Sequence, residues 1–575
     1  MIPRPDFKRD EYIVLNGKWD FCFDDENTST NEEKTNGRFS DYEINVPFAY
    51  QSKLSGINSQ KYHEIIWYAK TITIEKEDLN NTILLKLGAV DSSCSIYVNG
   101  KHVKDHDGGY SQIDADITDY LTVGENRIVV KAVDNRYTDK PRGKQYWKDK
   151  PDRCWYTETS GIHRTCFLEF AGKTYIEYFR ILPDIDTNTI SLDMSLSKPI
   201  TGKLEVEISY KNNLVKDYVV SLNDDHYVKE ALTIKPEDDI DETTYWSIDN
   251  PNLYDIKFYL FDHNKLVDKV SSYFGLRKIE IKDNYIYLNH KPIYQRLILQ
   301  QGYWKDSLTT PIDEEAIIKD LTMIKEMGFN GVRMHQKCED PLFYYHADRL
   351  GLLVWLEMPS SYNFNLNSID NNFRQWKEII TQNYNHPSII AYVPINESWG
   401  VRKIYSNKEQ IQFANAMYEY TKALDPSRIV STNDGWELSA KTDIYGFHQY
   451  FGDPEQFKKE YCNFEEIAKK GMWNRPLETI TPLENKPVLV SEFGGIAINS
   501  DNDSWGYNSD AKNADELKEK ITAHVDAVLS LNYCCGYCYT QFSDVMQEIN
   551  GLVDMERNLK LPIEEYHKIF AKDPK

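Results

Sequence analysis

The sequence predicts three domains: a jelly-roll β-sandwich over 1–180, an immunoglobulin-like β-sandwich over 181–276, and a (β/α)8 barrel over 277–575. Three observations predict it. Up to about residue 276 the apolar residues fall in short alternating runs with turn punctuation and no helical period. After 277 the rhythm becomes strand, helix, strand, helix, repeated eight times. The fourth and the seventh of the eight strand candidates end in glutamates, Glu397 and Glu492.

In the first domain 71–74, 83–87, 94–98 and 127–133 read as strands. Asn99-Gly100 after Val98 is a type I′ hairpin signal, because both positions of that turn need positive φ. Gly124-Glu125-Asn126 reads as another turn. Many short strands without helices mean a sandwich. In the second domain 189–196, 203–210 and 253–261 stand out among seven or so runs, which suits an immunoglobulin-like sandwich without its Cys–Trp–Cys marks. The boundary is placed near Pro183. The barrel strands are expected at 295–300, 330–335, 352–358, 389–397, 428–434, 443–450, 487–494 and 535–542, with helical periods at 313–327, 374–384, 409–424 and 514–531.

The 575 residues carry a net charge of −23, which argues against polyanionic partners such as nucleic acid or an anionic membrane surface. No run approaches the roughly 18–20 apolar residues of a membrane span, and no basic-plus-apolar leader is seen, so a cytoplasmic location is expected. Nine scattered cysteines make a disulfide framework improbable. Cys535-Gly536-Tyr537-Cys538 has redox or zinc spacing but lies inside an apolar strand, so packing is the expected role. There is no HExxH, no Gly-rich phosphate loop and no GxSxG elbow, hence no metal and no cofactor is expected. The high count of 40 Tyr and 12 Trp suits sugar stacking but equally suits sandwich cores.

Chemistry concentrates on the strand ends. A strand of a parallel barrel is covered on both faces and should stay apolar, as Ile389 to Ile395 does. Asn396-Glu397 at its end then faces the crevice where such barrels hold their sites. The run from Val488 ends likewise in Glu492. Two carboxyls across one barrel mouth are the minimal equipment for breaking a glycosidic bond. Glu397 is the candidate acid/base, its charged form disfavoured by desolvation. Glu492 is the candidate nucleophile. A gap of about 5–5.5 Å means retention and about 6.5–9.5 Å inversion. Asn396 can bind the hydroxyl beside the reacting carbon, and Tyr450 can orient Glu492. Arg333, His335, Glu357, Asp434, His448 and Tyr450 also fall on strand ends, with Trp399 just past one, and are expected to touch substrate. The plainer alternatives are acids placed at helix N-termini, or a metal held by the same acids with His335 and His448.

These residues resemble glycoside hydrolase family 2, the family of β-galactosidases, β-glucuronidases and β-mannosidases. The ordered matches are Leu15-Asn16-Gly17-Lys18-Trp19, Ile66-Trp67-Tyr68, Asp107-Gly108-Gly109-Tyr110, Ser160-Gly161-Ile162-His163-Arg164, Gly328-Phe329-Asn330-Gly331-Val332-Arg333-Met334-His335, Asn385-His386-Pro387-Ser388 and Asn396-Glu397, with Glu492 at the nucleophile position. Departures bear on the sugar. Where β-glucuronidases hold the uronate with Asn-x-Lys before a Gly, this chain has Glu548-Ile549-Asn550-Gly551. Where large β-galactosidases carry a His after the nucleophile and a Trp on the eighth strand, it has Gly494-Gly495 and Thr540-Gln541. The resemblance implies a retaining exo-β-glycosidase acting on a small or oligosaccharide glycoside. A β-galactoside is the first expectation, another neutral sugar the second and a β-glucuronide the third. The resemblance also implies a homo-oligomer, since sandwich domains of this family contact neighbouring subunits. Two other readings are a carbohydrate-binding protein that has lost turnover and a family 5-type endo-glucanase, against which the two leading sandwiches argue.

Overall fold

The computed structural model describes residues 2–27, 31–37, 39, 41–234, 244–438, 441–470 and 484–574. The first domain is two facing antiparallel sheets. One contains 12–14, 166–171, 82–87 and 113–116, the other 42–46, 17–23, 65–74, 124–133, 93–98 and 101–107. Alternate residues of both sheets, such as Trp19, Phe21, Tyr68, Leu85 and Ile96, meet in one core. Asn99 and Gly100 both have positive φ and join paired strands, as the hairpin signal required. Residues 124–126 are not a turn. They open the strand 124–133, paired with 65–74 from Gly124 opposite Ile74.

The second domain is one five-stranded antiparallel sheet curled round its own core. Its strands are fewer and longer than the runs suggested. Thr189–Tyr210 and Asn213–Thr233 continue through register shifts between Ser195 and Gly202, where a bulge bends the ladder without ending it. The strand Ile176–Asp184 belongs to this sheet, so the division expected at 180/181 falls inside it. Arg9 ties the two sandwiches, bonding Glu169 of one and Asp268 of the other.

The barrel strands are β1 (Gln295–Gln300), β2 (Gly331–Met334), β3 (Leu353–Glu357), β4 (Ile389–Val393), β5 (Ile429–Val430), β6 (Tyr445–His448), β7 (Val488–Gly494) and β8 (Cys534–Thr540). They are parallel in the order β5-β4-β3-β2-β1-β8-β7-β6, and a bridge between Gly435 and Phe447 closes the ring. All eight fall where the sequence placed them, although β5 is short. Strand pairing resumes at the lip, where 395–396 pairs with 433–434. Residues of one parity, including Leu297, Leu299, Leu353, Trp355, Leu489 and Cys538, fill the barrel interior. The other parity, including Ile298, Val332, Val354 and Val490, packs on the helices. The hairpin strands 279–282 and 285–288 seal the floor through Ile279, Ile286 and Leu288. Cys535 and Cys538 are buried in this packing, and burial pushes the Cys535 thiol up to about 12.

Candidate active site

Parity carries Arg333 and Glu357 into the barrel: Arg333 pairs with Trp355, and Glu357 ends β3 two residues further on, opposite Val393. Both are fully buried, and Arg333 Nε bonds Glu357 directly. The guanidinium also donates to Ser491 O (2.8 Å) and Asn396 Oδ1 (2.8 Å), and lies 3.1 Å from both Asp434 Oδ2 and Glu492 Oε1. Glu357 Oε2 accepts from the Gln336 amide at 2.9 Å and lies 3.0 Å from His335 Nδ1. Asp434, also fully buried, takes His448 Nε2 at 3.0 Å and Ser431 Oγ at 2.7 Å. Arg333, Glu357 and Asp434, expected from the sequence to line the substrate, form the buried charge network beneath Asn396 and Glu492. Their polar atoms are spent on one another and on the groups above them.

Glu397 reaches the mouth through a strained turn. Glu397 and Ser398 have φ of 49° and 55°, which costs about 1 kcal/mol or more per non-glycine residue. Hydrogen bonds hold the turn: Glu397 N to Asp434 O (2.8 Å) and Ser398 N to Asn433 Oδ1 (2.9 Å). Glu492 lies near the end of β7, its Oε2 accepting from Tyr450 OH at 2.7 Å. Gly494 and Gly495 follow with positive φ, and a Cβ on Gly494 would sit 2.4 Å from the Tyr539 ring. No larger residue fits there, the position where the sequence departs from large β-galactosidases.

His448 joins the two carboxyls. Its Nδ1 is 2.9 Å from Glu397 Oε1 and 3.4 Å from Glu492 Oε2, and one coordinating atom of each of the three residues lies within 4.8 Å of the others. Both ring nitrogens face carboxylate oxygens, which favours the doubly protonated ring, while Arg333 Nη1 lies 3.1 Å from Nε2. Burial opposes that charge. Glu492's charge and the bonds to Asp434 and Glu397 outweigh it and raise His448 to about 9. Glu397 is correspondingly held below the usual carboxylate range: burial pushes it up, but His448, with Lys144 and His335, pulls it further down. Desolvation alone predicted the opposite direction. The trio has the spacing of a divalent-cation site, but both His448 nitrogens are already committed and Arg333 stands beside Glu492.

His448's raised value has a consequence for stability. The pairing contributes fully below its ordinary 6.5 and is lost as pH rises through about 9. It is worth about 3 kcal/mol. Urea midpoints should fall across that window in the native chain and stay flatter in His448→Asn. A parallel fall in both would refute the charged ring.

Among the described residues, Asn396 Nδ2 and Glu492 Oε1 are buried without a hydrogen-bond partner, and both residues sit beside Arg333. At the β8 end Gln541 Nε2 donates to Glu548 Oε1 (3.0 Å) and Asn550 Oδ1 (2.9 Å), and Tyr156 OH donates to Glu548 Oε2 (2.8 Å). Burial, with Glu492's charge added and Lys144's opposing, lifts Glu548 to about 7.

Tyr156 and Lys144 come from the first domain, and the sequence reading missed them. Residues 134–160 are an irregular strap between the strands 124–133 and 161–162. Arg142 pins the strap from within, paired with Asp134 and Glu158. Its amides and carbonyls then dock on the barrel lip. Arg142 N and Gly143 N donate to Ser360 O, Thr138 O accepts from Tyr362 N (2.7 Å), and Arg153 O accepts from Trp505 and Gln547. Gly143 has φ 60°, and a Cβ there would sit 2.2 Å from Gln336 O. The strap thus spans the mouth from the β3 side to the β7–β8 side. Lys144 on it is buried and, among the described residues, makes no side-chain hydrogen bond or ion pair, while Cys154, Tyr362, Glu548 and Glu397 raise its basicity against its burial. The signal available was length: an irregular stretch beyond about 12–15 residues inside a compact domain is usually functional, and this one carries Tyr146, Trp147 and Trp155.

Comparison with known proteins covers all three domains. Residues 13–170 match the model "Glycosyl hydrolases family 2, sugar binding domain", 174–277 match "Glycosyl hydrolases family 2", and 279–572 match "Glycosyl hydrolases family 2, TIM barrel domain". A putative β-glucuronidase of Formosa agariphila is 27% identical over 472 residues, spanning 78% of this chain and 56% of that protein. A β-galactosidase of Photobacterium profundum is 26% identical over 539 residues, spanning 85% and 48%. The chain thus spans about half the length of these curated relatives. The solved β-D-glucuronidase of Dictyoglomus thermophilum superposes with a TM-score of 0.79 at 20% identity, covering 99% of this chain and 98% of that one, which establishes the shared fold.

Proposed function

Because the chain belongs to glycoside hydrolase family 2, we propose that it is a retaining exo-β-glycosidase with Glu397 as acid/base and Glu492 as nucleophile. One observation carries this reading: the Glu397, His448 and Glu492 atoms within 4.8 Å of one another. Carboxyls that close span one anomeric carbon and leave no place for the water that an inverting enzyme interposes. Glu492 attacks the carbon while the leaving oxygen takes a proton from the Glu397–His448 pair. That pair holds one proton in a 2.9 Å hydrogen bond, so the acid needs no proton from bulk water. In the second step Glu397 takes the proton back from the attacking water. Asn396 Nδ2 donates to the hydroxyl next to the anomeric carbon, its orientation fixed by Arg333 on Oδ1. The strap across the mouth suits a pocket that takes the end of a glycan.

For the sugar we favour a β-galactoside. Glu548, Gln541 and Asn550 form a carboxyl–amide cluster suited to reading hydroxyls, where a uronate would need cations, and several relatives are named β-galactosidases. The β-glucuronide reading rests on other relatives' names and on Lys144, an ammonium without a bonded partner among the described residues, whose basicity Glu548 and Glu397 raise. A panel of nitrophenyl β-galactoside, β-glucoside, β-mannoside and β-glucuronide decides. The galactoside should show the highest kcat/KM, with the β-anomer formed first by NMR. Preference for the uronide, lost selectively in Lys144→Met, would install the second reading. No turnover of any sugar would leave only the carbohydrate-binding reading.

A further inference from the structure

We infer that the strap of the first domain and the lip beyond Glu397 together form an aromatic platform that binds the leaving group of the glycoside, a six-membered ring with an apolar face.

The inference rests on the proposed glycosidase reading and adds a subsite to it. Trp147 and Trp155 of the strap meet Tyr362 and Trp399 of the barrel lip. Ring centroids lie 4.5 Å apart for Trp147–Tyr362, 5.2 Å for Trp155–Trp399 and 5.2 Å for Tyr362–Trp399. Trp436 extends the group, 6.2 Å from Trp399, and Arg402 caps Trp399 at 4.2 Å. All five rings are half-buried, and Trp147, Trp155, Tyr362 and Trp399 belong to none of the buried cores. Large rings held edge to face by their neighbours, with surface left uncovered, are preorganised to stack a partner. The bond from Trp155 Nε1 to Tyr362 OH (2.9 Å) fixes the two domains' contributions in one register.

Chemistry decides which part of the substrate they meet. The acid must sit beside the oxygen that departs, so the leaving group lies on Glu397's side. Trp399 is two residues from Glu397, at the far end of the same left-handed turn. The nucleophile's side is furnished separately by Tyr450, stacked 4.0 Å on Tyr507. The platform therefore faces the aglycone. Its apolar faces take either a second sugar, through the C–H face of the ring, or an aryl group.

The test compares leaving groups on the sugar that the panel selects. In Trp155→Ala, kcat/KM for the nitrophenyl glycoside or the corresponding disaccharide should fall about tenfold. The glycosyl fluoride, whose leaving atom is too small to reach the platform, should change less than twofold, and Trp155→Phe should restore most of the loss. The arm that falls further identifies the natural ring as aryl or sugar. Equal loss on all substrates in a folded variant, or no loss on any, overturns the platform. If Trp155→Ala does not fold, Trp147→Ala is measured in the same way. Turnover of the fluoride by the native chain tests the glycosidase reading separately, since that substrate makes no demand on the platform.

Discussion

Replacing Glu492 by Gln is expected to lower kcat on any aryl glycoside the native chain accepts by a factor on the order of 10⁴–10⁶, the scale of removing a covalent nucleophile. The geometry makes this a clean experiment. Glu492 Oε2 accepts from Tyr450 OH, which a Gln oxygen can replace, so the variant keeps its shape around the site. What disappears is the anion that forms the glycosyl–enzyme bond. The Glu397–His448 pair still delivers its proton, and nothing attacks the carbon. Restoring an anion tests the assignment from the other side. In Glu492→Ala, added azide should occupy the vacated space and attack directly. A β-glycoside would then give the α-glycosyl azide, because one displacement inverts where two retain. Turnover of the Gln variant near the native rate would remove Glu492 from the mechanism.

Much of this was readable before any coordinates. Apolar runs bounded by turn residues located all eight barrel strands, because a strand covered on both faces tolerates nothing else. The same rule marked Glu397 and Glu492 as exceptions needing a reason. Parity in β2 and β3 put Arg333 and Glu357 inside the barrel, but parity gives direction and not partners, so the direct bond between them was not foreseen. The proton state of Glu397 was misread for a related cause. Burial is foreseeable from an apolar run, whereas the His448 partner is 51 residues away on another strand. The left-handed turn at Glu397–Ser398 has no local sequence signature, since neither residue is Gly or Asn. The strap was the largest omission. Nothing between 134 and 160 alternates or repeats, and its contacts with Ser360, Gln547 and Glu548 span up to several hundred residues. Its density of Trp and Tyr was visible, yet composition cannot say which domain a loop will cover.

The second large effect is expected at Arg333. Arg333→Met fills most of the same volume but leaves Glu357, Asp434 and Glu492 facing one another without their shared cation. Breaking such a fully buried set from one side costs about 3–5 kcal/mol, which should appear as a lower urea midpoint for the barrel. Activity should fall as well, because the amide of Asn396 loses the donor that fixes it and can rotate. Arg333→Lys separates the two effects. A lysine returns the charge but offers a point donor where the guanidinium supplies a fork to five acceptors. It should recover much of the stability and little of the kcat. The pH dependence follows from sign. Arg333 holds Asp434 and Glu357 below their ordinary values against their burial. Groups depressed in this way stabilise the fold above their unfolded values of 3.8 and 4.5, and lose that contribution as pH falls through the folded ones. In the Met variant the unpaired acids instead favour the protonated form. The stability gap between native and Met chains should therefore be widest near neutrality and narrow as the pH falls through the carboxylate range. A gap that stays constant with pH would mean the guanidinium contributes packing alone, and the charge network under the two glutamates would lose its support.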